Sequence, residues 1–195
     1  MRVTRCLIAA TASIASSTVL YAGPAAAGPG STGASVDDSR LSGPGVAISV
    51  TIPAGWHQIS DQSQPQLLQI IYPQTCSEPA TCATALAGVF SKQAPSAQTA
   101  AEAVEQTITK QPGMQGATIT NKGPIQVAGR TGYHVRFTYS TATAKCQAET
   151  VAVETGPASS GRVPTSIIFV TVSDLAGAPP AGVIDQIIGS AQLTT

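Results

Sequence analysis

Few residues in this chain are equipped for chemistry, and their spacing limits what each can do. There are two histidines, His57 and His134. A zinc site of the His-Glu-x-x-His kind puts two imidazoles on one helical face, and that spacing is absent. His57 stands near Ser60 and Asp61, the residue types of a nucleophile, base and acid. A triad also needs its nucleophile on a rigid turn and its base held by the acid, and this stretch reads as a solvated loop. The run Gly-Pro-Ala-Ser-Ser-Gly at Gly156–Gly161 lacks the Gly-x-Ser-x-Gly spacing of a nucleophile elbow. No catalytic residue is expected, and a hydrolase built on the His57 loop is kept only as the last alternative.

His134 and Arg136 share the polar side of a strand with Thr138. Arg is a rigid multi-donor suited to anions, so both are carried as candidate ligand or partner contacts. The plainer reading is a wet sheet face or a polar contact with a covering helix. Trp56 is the single tryptophan. It plugs a sheet edge or the gap between layers, or serves as a ligand platform, and it is the third candidate contact.

Four cysteines are present: Cys6, Cys76, Cys82 and Cys146. Export makes a disulfide expected. Cys76 and Cys82 flank a loop between two strands, and closing so short a ring is worth about 2–3 kcal/mol. That pair is the first choice, and Cys82–Cys146 competes with it. No Cys-x-x-Cys occurs, so neither a metal nor a cofactor is expected.

Residues Met1–Ala27 have the parts of a secretory signal peptide. Arg2 and Arg5 precede an apolar core of about 15 residues, short for a span of roughly 20, and Ala25-Ala26-Ala27 offers a cut after Ala27. Cys6 lies before the apolar core, the wrong end for lipid attachment, and no later segment is long enough to cross a membrane. The expected product is secreted, with cell-wall association as an option. Charged residues make up 10% of the chain, against a usual share of about a quarter. Of 10 basic groups, removal of Arg2 and Arg5 leaves 8 against 10 acidic, a net of −2. No basic patch is available to neutralise phosphates, so nucleic acid is not an expected partner.

These residues need elements to position them. Gly28–Gly33 reads Gly-Pro-Gly-Ser-Thr-Gly, the letters of a dinucleotide loop. With no strand before it and no helix after it, residues 28–45 are assigned to a flexible linker. Val46–Ile52 alternates apolar with small or polar residues as a half-buried strand, ended by Pro53-Ala54-Gly55. Leu67–Tyr72 and Ala83–Ser91 are two further strands. In Pro95–Lys110 the period changes: Ala97, Ala101, Val104 and Ile108 form a helical stripe, with Ser96 as N-cap. Ala117–Val127 is extended, with a break at Gly123-Pro124. Three strands follow at Thr131–Ser140, Cys146–Thr155 and Thr165–Val172. The first puts Tyr133, Val135, Phe137 and Tyr139 on one face, and the last is apolar on both faces, as in a strand covered on both sides. Pro180–Leu193 is a terminal amphipathic helix. The fold class is α+β: one domain at 46–195 with a central antiparallel sheet of about six strands flanked by helices, an α-β-α sandwich.

Ile52-Pro53-Ala54-Gly55-Trp56, a helix followed by Val127-Ala128-Gly129-Arg130, the aromatic strand Tyr133–Tyr139 and the terminal helix together resemble the LpqN/LpqT group of actinobacterial envelope proteins, which have a PsbP-like fold. The resemblance spans roughly 45–194. It implies non-enzymatic accessory roles in the cell envelope and supplies no catalytic residue. Many relatives are lipid-anchored, whereas this chain lacks the anchoring cysteine. The expected function is an exported binding or accessory protein that docks an envelope protein. The alternative is a carrier of a small apolar molecule or lipid, held between sheet and helices.

Overall fold

The structure, a computed structural model, describes residues 40–59, 66–73 and 83–194. The elements in chain order are β1 (Arg40–Leu41), β2 (Ile48–Thr51), β3 (His57–Ile59), β4 (Leu68–Pro73), β5 (Ala83–Ala94), α1 (Ala97–Thr109), β6 (Gln115–Val127), β7 (Arg130–Ser140), β8 (Lys145–Glu154), β9 (Val163–Ser173), α2 (Val183–Gly189) and β10 (Gln192–Leu193). The signal-peptide assignment, the 28–39 part of the linker, Ser60, Asp61, Cys76 and Cys82 fall outside the described residues.

Seven strands form one antiparallel sheet in the order β3-β4-β5-β9-β8-β7-β6. The middle place belongs to β9. Ten of its eleven residues are buried, because Ile167 and Phe169 pack on one side of the sheet while Ile168, Val170 and Val172 pack on the other. A strand apolar on both faces is stable only where both faces are covered. β7 lies between β8 and β6, so the tyrosine-bearing strand has a neighbour on each side.

One face is roofed by α1. Its buried residues Ala97, Ala100, Ala101 and Ile108 lie on Val135, Phe137 and Tyr139 of β7 and on Ala148 and Ala152 of β8. The small alanines let the helix sit close to the large aromatic face of β7. The helix starts where the sequence places its cap: Thr99 N–H donates to Ser96 Oγ at 3.1 Å, and Ala97 N–H donates to Glu154 Oε1 of the sheet at 3.1 Å.

The opposite face is roofed by α2 through Val183, Ile184, Ile187 and Ile188. Beside α2 stands a small second sheet, in the order β1-β2-β10. Helices on both faces make the α-β-α sandwich expected from the sequence, with local corrections. The large sheet has seven strands. The expected first strand forms at Ile48–Thr51 but belongs to the small sheet, paired with β10 through Gln192↔Ser49 and Leu193↔Ile48. The fold also begins before 46, since Leu41 is fully buried and pairs with Val50. The terminal helix is seven residues long, shorter than Pro180–Leu193, because Gln192 and Leu193 leave it to pair with β2.

Gly123-Pro124 does not break β6, which runs through it in register with His134 and Tyr133. On an edge strand every second N–H points away from the sheet, and a proline at such a position forfeits no ladder bond. His57–Ile59, expected to be loop, adds as a short strand at the opposite edge through His57↔Ile71.

Candidate functional site

On β7 the side chains alternate. Val135, Phe137 and Tyr139 enter the α1 side of the core, so His134 and Arg136 face the α2 side. On β8, Val151 and Val153 are buried on that same side, and Glu149 precedes them with the same parity. Register sets Arg136 directly opposite Glu149. The Glu149 side chain is only 3% exposed, and a carboxylate there needs charged hydrogen-bond donors to offset its lost hydration.

Arg136 meets that need, and His134 makes a second contact. Arg136 Nε donates to Glu149 Oε2 at 2.6 Å and Nη2 reaches the same oxygen at 2.5 Å. His134 Nδ1 lies 2.8 Å from Oε1. Arg136 Nη2 also donates to Asp185 Oδ1 on α2, so one guanidinium ties a sheet carboxylate to a helix carboxylate. Partial burial pulls the Arg136 pKa down, but its hydrogen bonds to Asp185 and Glu149, and then their charges, outweigh burial and leave it raised. The group stays cationic, and the cluster fixes α2 laterally on a sheet it already covers with apolar side chains.

Beside this cluster is an open cleft of about 390 Å³ between α2 and the β6–β7 edge. His134, Arg136, Glu149 and Asp185 form its polar wall; Ile125 and Ile188 are among its apolar lining, and Asn121 adds an amide. A second cleft of about 480 Å³ sits at the far end of β7 and β8, lined by Thr138, Lys145, Gln147 and Asp174 among others.

Of the sequence candidates, His134 and Arg136 are brought together. Trp56 is elsewhere: it is 6% exposed and meets Tyr72 edge-on at 5.9 Å, so it packs in the α2-side core and offers no platform to a ligand. His57 is exposed on β3. Cys146 is 1% exposed on the α1 side; the pairings involving Cys76 and Cys82 fall outside the described residues. Sequence reasoning missed Glu149 and Asp185. A signal was present: Glu149 shares strand parity with Val151 and Val153, and a carboxylate on an apolar face calls for a cation on the neighbouring strand. Among the described residues no group of three or more metal-binding side chains occurs, and no helix is long and apolar enough to cross a membrane.

No protein-family model matches the chain, and no curated protein matches it by sequence. Solved structures do. The crystal structure of LpqN, involved in cell envelope biogenesis of Mycobacterium tuberculosis, superposes with a TM-score of 0.51 at 15% identity, covering 78% of this chain and 87% of that one. The solution structure of cyanobacterial PsbP (CyanoP) from Synechocystis superposes with a TM-score of 0.50 at 14% identity, covering 85% and 98%. The fold is therefore PsbP-like, as in LpqN, in agreement with the resemblance carried by the sequence.

Proposed function

We infer that this chain is an exported accessory protein of the cell envelope that acts by docking a protein partner and catalyses no reaction. The observation that carries the reading is the likeness over most of both chains to LpqN, a protein involved in cell envelope biogenesis. The basic start, apolar core and Ala-x-Ala end of residues 1–27 support export. The geometry adds to this. In the cleft beside α2 Arg136 is paired with both Glu149 and Asp185. The wall of the cleft beside α2 is more polar than apolar, which favours docking over carriage of an apolar molecule there, since a carrier wants a mostly apolar chamber.

The test is cross-linking in the envelope fraction of the native host, followed by pull-down and mass spectrometry. Repeated recovery of one envelope protein, cross-linked to residues of this domain, is the expected result. Recovery of no protein together with co-purified lipid would replace docking with the carrier reading.

A further inference from the structure

We draw no further inference here: the strongest candidate, the open cleft of about 480 Å³ at the far end of β7 and β8, has as its charged groups only the exposed Lys145 and Asp174, of which Asp174 Oδ1 already accepts from the Lys145 backbone N–H at 2.9 Å, and nothing in the structure shows what covers it.

Discussion

The guanidinium of Arg40 donates to the carbonyl of Ser190 at 2.9 Å, joining residues 150 positions apart. The same side chain donates to Ser49 Oγ at 3.1 Å, to Thr51 Oγ1 at 3.1 Å and to the Ser49 carbonyl at 3.0 Å. It thus stitches β1 to β2 and both to the end of α2.

Arg40→Ala is expected to destabilise the domain by about 1.5–3 kcal/mol, the range for hydrogen bonds to a charged group. A truncation that starts at Val46 should lose more, because it also removes Leu41, which is fully buried. Urea denaturation followed by circular dichroism checks both; equal stability of the truncated and full-length forms would show β1 to be dispensable.

Thr150→Val should stabilise the protein. Thr150 is fully buried on β8 and its Oγ1 has no hydrogen-bond partner among the described residues. An unmet buried hydroxyl costs about 1–3 kcal/mol, and valine keeps the branched shape that strands favour. A gain of about 1 kcal/mol in stability is expected, read as a higher urea midpoint at unchanged slope. A loss would mean that an ordered water satisfies the hydroxyl.

Lys92 gives a pH dependence with a definite sign. Burial, and then the charge of Arg162, lower its pKa from the usual 10.5. Between the lowered value and 10.5 the unfolded chain holds the proton and the folded chain does not, so stability rises with pH across that window. Below it, both states are charged and the folded state bears the whole penalty. Lys92→Met should therefore be more stable at neutral pH by about 0.5 kcal/mol, a small figure because the side chain is only half-buried. The advantage should shrink as pH approaches 10.5. A difference that does not vary with pH would assign the effect to packing instead.

The outer edge of β6 should resist self-association. Its 13 residues are mostly exposed and include Ile119 at 44%. The register shifts twice along the strand, Pro124 presents no N–H, and Lys122 is a charge near the edge, held by Glu102 at 3.1 Å. These are the devices that blunt a sheet edge. Sedimentation velocity should show the double variant Lys122→Thr/Pro124→Thr forming dimers or larger species at concentrations where the parent does not.

The central strands were legible in the sequence because alternation reports burial directly. Thr131–Ser140 and Thr165–Val172 match β7 and β9 to within two residues at each end. The first helix was legible through Ser96 and the alanine stripe. Periodicity says which face of a segment is apolar but not which sheet receives it, and so Val46–Ile52 read as a strand of the main sheet. Its partner Leu193 lies far along the chain, inside a segment whose apolar spacing is helical. The candidate site was half legible. His134 and Arg136 stood out as polar residues on a strand. Glu149 was hidden within a run of small residues, and its meeting with Arg136 depends on a cross-strand register that alternation alone does not fix. Asp185 reaches them because α2 lies across that face.

The small sheet sets a temporal order on folding. β2 is made early, but β10 comes last, and α2, which seals that side of the core, precedes it by only a few positions. A nascent chain emerging residue by residue leaves Ile168, Val170 and Val172 without their lid until α2 has followed β9 out. Until then the polypeptide can collapse but cannot close, and a threading machine that takes it up during synthesis would meet an open, pliable substrate.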